Sequence, residues 1–179
     1  MEGNGTLSIQ TTVRDLARPF AEVYEALDPK EHRKAMRSAM RRQGNRLKRQ
    51  AAANLRASGI GQGTAQRLSK GIRLRVYPER YGAGFMLSVK PNRKKGYHRN
   101  RRGLEKPVLM WAEEGTGERK TKSRTRFFTR SRRGHSTGRM PRYGFMRRTE
   151  EQETHTVEQT LFSDFQDSLE RAVRRKGLL

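Results

Sequence analysis

Apolar residues recur with a helical period through the first third of the chain. In RPFAEVYEAL (18–27), Phe20, Val23, Tyr24 and Leu27 fall at i, i+3, i+4 and i+7, which predicts a short helix opened by Pro19. DPKEHRKAM then restarts a helix, with Asp28 at the N-cap, Pro29 as its first residue and Glu31 placed to reach back to the cap. This helix is predicted to run to about Ala57, with Met36, Met40, Leu47, Ala51 and Leu55 as its apolar stripe. Gly44 interrupts it at a cost of about 1 kcal/mol relative to alanine, which points to a bend or a close contact there.

The period then changes. SGIGQGT (58–64) breaks the helix, and TAQRLSKG supplies a short helical turn. IRLRVY (72–77) alternates apolar and basic residues with period two, the pattern of a half-buried strand. GFMLSV (84–89) reads as a second strand after a hairpin-like connection, YPERYGAG. VLMWAEEGT (108–116) reads as a third, ending at Gly115. Residues 90–107 and 117–140 are polar, glycine-containing and basic, and read as long loops or an extended β-arm. A C-terminal helix is expected from about Thr149 or Thr156. Its stripe is Val157, Leu161, Phe165, Leu169 and Val173, widened by Phe162 and Ala172. Glu150, Glu151 and Glu153 precede that stripe and Arg174, Arg175 and Lys176 close it before Gly177, an order that suits the helix dipole.

The predicted fold class is therefore α+β: a long N-terminal helix and a C-terminal helix packed on a small antiparallel sheet, with long basic loops or a β-arm. Residues 28–179 read as one domain carrying basic inserts at 90–107 and 117–140, preceded by an N-terminal segment, 1–27, with its short helix.

Charge adds what the pattern leaves out. The 179 residues carry 41 Lys and Arg against 18 Asp and Glu, a formal net charge of +23. Self-repulsion on that scale opposes compaction unless an acidic partner screens it, so the implied partners are nucleic acid, an anionic surface or acidic proteins. The excess is concentrated: from Lys90 to Arg139 there are 17 bases and 4 acids. The candidate interface residues of the first insert are Arg93, Lys94, Lys95, Arg99, Arg101 and Arg102. Those of the second, in RKTKSRTRFFTRSRRGHSTGR (119–139), are Arg119, Lys120, Lys122, Arg124, Arg126, Arg130, Arg132 and Arg133, with Phe127 and Phe128. Such cations neutralise phosphates and release counter-ions, and an aromatic among them can stack on a base. Adjacent aromatics on a strand face opposite ways, so one of the pair is expected to anchor the arm on the domain or on a neighbouring subunit. The long helix also bears ten bases against Asp28 and Glu31, more than a solvated face requires, which points to a polyanionic or acidic neighbour.

Little in the chain suggests catalysis. There is no cysteine, hence no disulfide, thiol nucleophile or thiolate ligand. GIGQGT (59–64) follows a helix, precedes barely one helical turn and lacks the Lys-Ser/Thr ending, so it reads as a linker, not a phosphate loop. His32, His98, His135 and His155 have no second ligand at metal spacing, and His32 is expected on the polar side of its helix. Glu113 and Glu114, if on a strand, point to opposite faces and make no acid/base pair; one of them is expected to pair with a neighbouring arginine. No catalytic residues, metal ligands or cofactor are expected. The N-terminus lacks the basic and apolar regions of a secretory signal, and no apolar run reaches the length of a bilayer span, so a soluble protein without a membrane partner is expected.

Together the ordered segments are RKAMRSAMRRQGNRLKRQAAANLRA, TAQRLSKGIRLRV, MWAEEGT, GRMPRYGFMRR and VEQTLFSDFQDSLERAVRRKG, covering roughly residues 30–176 in that order. In this order the chain resembles the neck or tail-completion proteins of tailed bacteriophages, the "putative tail component" family. It departs from them in lacking a Thr-Gly in TAQRLSKGI and in having longer, more basic inserts. The resemblance implies a structural, non-catalytic virion protein at the head–tail junction, assembled in the host cytoplasm. It implies a homo-oligomeric ring, hexameric or dodecameric, joining connector and tail proteins, with DNA in the channel as a further partner. The alternative reading is a basic nucleic-acid-binding protein of the ribosomal-protein kind.

Overall fold

The computed structural model describes residues 6–12, 27–79, 82–89, 98–99, 105–119, 136 and 138–177. Their elements, in order, are β1 (Thr6–Thr12), α1 (Pro29–Ala57), α2 (Gln62–Ser69), β2 (Arg73–Glu79), β3 (Gly82–Ser88), β4 (His98–Arg99), β5 (Glu105–Lys106), α3 (Val108–Glu114) and α4 (Phe145–Arg175). This is the mixed α+β class, with long N- and C-terminal helices on a small antiparallel sheet.

The sheet has the order β1-β3-β2, with β3 antiparallel to both neighbours. Leu74 of β2 stands opposite Leu87, and Val76 opposite Phe85. Residues directly opposite share a face, so Leu74, Val76, Ala83, Phe85 and Leu87 form one apolar surface, and α1 lies on it. β1 is a strand that the apolar pattern does not announce: TLSIQTT holds only two apolar residues, Leu7 and Ile9, registered opposite Leu87 and Phe85. The helix predicted over 18–27 lies outside the described residues except for Leu27, which is buried.

α1 is the centre of the molecule. Met36, Met40, Leu47, Ala51 and Leu55 are all at 0% exposure. α4 covers the other side of the stripe with Val157, Leu161, Phe165, Leu169 and Val173, all buried. Each fully buried Leu, Met or Phe contributes about 1.5–3 kcal/mol, so these positions set the pairing of the two helices. His32 belongs to this side as well: it is buried one turn before Met36, not on the polar side expected of it. Gly44 marks a close contact. A Cβ at that position would lie 2.4 Å from Leu74 Cδ1, so the missing side chain lets α1 settle on β2.

Polar side chains fix the antiparallel register of α1 and α4. Arg42 pairs through Nε with the Asp164 carboxylate at 2.8 Å, and its Nη2 donates to the Asp164 carbonyl and to Ser168 Oγ. Gln43 Nε2 donates to Thr160 Oγ1 at 2.9 Å, and Arg46 Nη2 to Glu153 at 2.7 Å. Asn54 Nδ2 donates to Thr149 Oγ1 and to Gln152 Oε1, each at 2.9 Å. Numbers rise on one helix as they fall on the other, and a slip by one turn would break the whole series. At the far end Lys176 Nζ reaches Asp28 Oδ2 at 2.5 Å and Arg175 reaches Glu31 at 3.8 Å. That lysine's hydrogen bond and charge hold the Asp28 carboxyl below the usual aspartate value. Asp28 does stand at the N-cap of α1, but its carboxylate makes no cap hydrogen bond and Lys176 takes it instead.

Burial pushes the Asp164 carboxyl up from its ordinary value, with Arg42 working in the opposite sense. The carboxylate is therefore costly where it sits, and Arg42 is what makes it tolerable. Arg42→Ala is expected to cost about 2 kcal/mol, the range of a hydrogen-bonded charged group. Asp164→Asn should cost less than half of that, because its carbonyl and Ser168 still receive Arg42. Urea unfolding of the two variants checks the ranking; equal losses would contradict it.

Residues 108–114 form a helix, not the strand that their short apolar run suggested. Pro107 stands at the N-cap, and Leu109, Ala112 and Glu113, at i, i+3 and i+4, are the buried positions. Gly115, at φ 76°, ends it, and a Cβ there would lie 3.1 Å from the Arg142 backbone nitrogen. In a helix the two adjacent carboxylates separate by environment: Glu113 is buried and Glu114 exposed. Glu113 accepts hydrogen bonds from the backbone nitrogens of Met146 at 2.8 Å and Arg147 at 3.3 Å. The bond to residue 147 is thus to the main chain and not to the guanidinium. α4 begins at Phe145, earlier than Thr149 or Thr156, because this carboxylate serves its first turn. Gly144, left-handed at φ 56°, has no side chain with which to do so.

Candidate interaction surface

The first insert carries a short antiparallel ribbon, with His98 opposite Lys106 and Arg99 opposite Glu105. The second leaves the core through a paired base. Thr116 N donates to Met140 O at 2.9 Å, Met140 N to Thr116 Oγ1 at 2.9 Å, and Arg119 N to Gly138 O at 3.2 Å. Tyr143 N donates to Ala112 O at 2.9 Å and ties the returning segment to α3. Both ends of the insert thus meet side by side on the core. The Arg119 guanidinium lies 4.9 Å from the centroid of the Trp111 ring, a cation–π contact at this base.

Of the predicted interface residues, Arg99 is placed in β4 and Arg119 at the arm base. Arg93, Lys94, Lys95, Arg101, Arg102, Lys120, Lys122, Arg124, Arg126, Phe127, Phe128, Arg130, Arg132 and Arg133 lie outside the described residues.

The structure resolves the cations of α1 into two classes. Arg42 and Arg46 turn inward to acids of α4, so part of the acidic neighbour implied by the sequence is the chain's own C-terminal helix. The others turn outward. Lys30, Lys34, Arg37 and Arg41 are exposed and Lys48 is half-buried, at successive steps of four, three, four and seven residues. Those steps follow one ridge of a helix. Of these five, Lys34 alone makes a salt bridge to a described carboxylate, Glu31 at 3.6 Å on the same helix. At the C-terminal end of the ridge a groove of about 390 Å³ opens between α1 and α2, lined by Asn45, Lys48, Arg49, Ala52, Ser69 and Lys70. A second groove, about 480 Å³, runs along the arm base between Glu114 and Arg142 and is mixed in charge.

Of the six described residues that line the first groove, three are cations and none is an acid. α2 ends here, and the negative end of its dipole would oppose an anion. Its terminal carbonyls are occupied, however: Leu68 O accepts from Gly71 N at 2.8 Å and Ser69 O from Ile72 N at 3.1 Å. The spacing of the α1 bases was visible in the sequence, but which of them stay free depends on the partner helix and was not. Lys70 has no sequence signal tying it to Lys48; the fold alone makes them neighbours.

Among the described residues no group of His, Asp and Glu side chains is placed to hold a metal ion, and no helix is long and apolar enough to cross a membrane. No family model matches the chain, and neither a curated protein nor a solved structure matches it.

Proposed function

We propose that the chain is a structural subunit of the neck of a tailed bacteriophage, completing the junction between capsid connector and tail as one member of a homo-oligomeric ring. The observation that carries this reading is the paired base of the second insert. Thr116–Arg119 and Gly138–Met140 lie side by side at the two ends of this insert. A core of two helices on a small sheet supplies a rigid block, and the basic inserts supply contacts to whatever stands beside it. The order of the core elements, with its resemblance to tail-completion proteins, points to neighbouring subunits and to acidic faces of connector and tail proteins as those partners.

The test is a deletion of residues 120–135, bridged by a short Gly-Ser linker so that the Thr116–Met140 pairing is kept. The shortened chain is expected to fold, with unchanged helical circular dichroism and a cooperative melt. In the phage that encodes it, full heads and finished tails should then accumulate unjoined, visible by electron microscopy, with a collapse in infectious titre. Normal infectious particles from the deletion would sink the proposal.

A further inference from the structure

We propose that the outward ridge of α1, together with the groove it makes with the end of α2, is a binding site for the phosphate backbone of nucleic acid. It uses none of the insert residues and does not depend on the neck reading.

The ridge runs from Lys30 to Lys48, about 27 Å at 1.5 Å per residue. That is the length of about eight base pairs at a 3.4 Å rise. Four of its five cations make no salt bridge to a described carboxylate, Lys30 acting on Asp28 only through its charge, and the fifth has only an intrahelical partner at 3.6 Å. The acids of α4 that could have served α1 are turned to Arg42 and Arg46 on the opposite side. At the groove, Lys48, Arg49 and Lys70 converge with Asn45 and Ser69 as neutral hydrogen-bonding groups. Like charges held together without an acid repel one another in the free protein, and a phosphate placed among them relieves that repulsion.

Chemistry decides between nucleic acid and an acidic protein. Protein interfaces draw their affinity from a desolvated apolar or aromatic centre ringed by polar groups. Among the described residues the ridge has no such centre: its positions are lysines and arginines, and the only apolar side chain lining the groove is Ala52. Cations on long solvated stems gain affinity from phosphates by releasing counter-ions, with no need of an anchor. DNA and RNA share this chemistry, so both enter the test.

Binding of the full chain to duplex DNA, duplex RNA and single strands is measured by fluorescence anisotropy across a salt series. Two triple variants lose the same net charge: Lys48→Gln/Arg49→Gln/Lys70→Gln at the groove, and Arg147→Gln/Arg171→Gln/Arg174→Gln on exposed positions of α4. With duplex, each lost phosphate contact should flatten the slope of log K against log salt by about 0.9, so the groove variant should lose about 2.7. The α4 variant should keep the wild-type slope. Whichever nucleic acid shows the largest groove-dependent change is the ligand. In the unmodified protein, Lys48 and Lys70 should be protected from amine acetylation when that nucleic acid is added. Equal losses in both variants, an unchanged groove slope without lysine protection, or displacement by polyglutamate at equal charge would each overturn the proposal. The last result would assign the surface to an acidic protein.

Discussion

Replacing Glu113 with alanine is expected to destabilise the fold by about 3 kcal/mol, the cost of one buried and one part-buried donor left without their acceptor. A 31-residue helix, α4, starts in the core: Phe145 is at 0% exposure and Met146 at 3%. The first backbone nitrogens of any helix lack intrahelical partners, and here those of Phe145 and Met146 belong to buried residues. Gly144 cannot cap, so the carboxylate of α3 receives Met146 N and Arg147 N, and its charge also suits the positive end of the helix dipole. Glu113→Gln keeps an acceptor and loses the charge, so it should cost only about 1 kcal/mol. For a chain of this size, 3 kcal/mol corresponds to a fall in Tm of roughly 6–12 °C. The same carboxylate sits beside the arm base, since Tyr143 N is bonded to Ala112 O. Amide exchange at Thr116 and Met140 should therefore quicken in the alanine variant. A Glu113→Ala protein as stable as wild type would remove the cap from the account of α4.

Much of the fold was legible in the sequence, and the residues show why. α1 and α4 are long enough for a 3.6-residue period to repeat many times, and every stripe position named from the pattern is buried in them except Phe162, which is half-buried. β2 and β3 each lie within two residues of the predicted strands. The miss at 108–114 has a definite cause. VLMWAEE is too short for its period to separate strand from helix, and the helical positions Leu109, Ala112 and Glu113 include a glutamate. Reading that glutamate as buried requires knowing that the start of α4, 32 residues on, needs an acceptor. β1 escaped because Leu7 and Ile9 give only one alternation. The interaction surface divides in the same way. Clusters of bases can be counted in a sequence; which of them survive as free charge depends on Asp164 and Glu153, over a hundred residues away from Arg42 and Arg46.

Gly44 joins packing to that surface, and enlarging it is expected to damage both. Gly44→Leu should cost about 2–3 kcal/mol, the upper range for overpacking a filled interior. An added Cβ would already stand 2.4 Å from Leu74 Cδ1 and 3.0 Å from Cδ2. Gly44→Ala is a closer contest. Alanine gains about 1 kcal/mol of helix propensity, and pushing Leu74 off its rotamer costs about 0.5–1.5 kcal/mol, so the net change should be small. A double-mutant cycle with Leu74→Ala separates the two contributions. If the contact is what demands glycine, the Leu74 truncation should cost at least about 1 kcal/mol less in the Gly44→Ala background than beside the native glycine. Additive losses in urea unfolding would mean that Gly44 serves some other purpose. The functional consequence follows from position. Arg41, Asn45 and Lys48 flank Gly44 on α1, while Lys70 stands at the C-cap of α2, three residues before β2. Forcing α1 away from β2 changes the separation of Lys48 and Lys70 without removing a charge. Gly44→Leu should therefore flatten the salt dependence of nucleic-acid binding although the net charge is unaltered, and Leu74→Ala in the same chain should restore it.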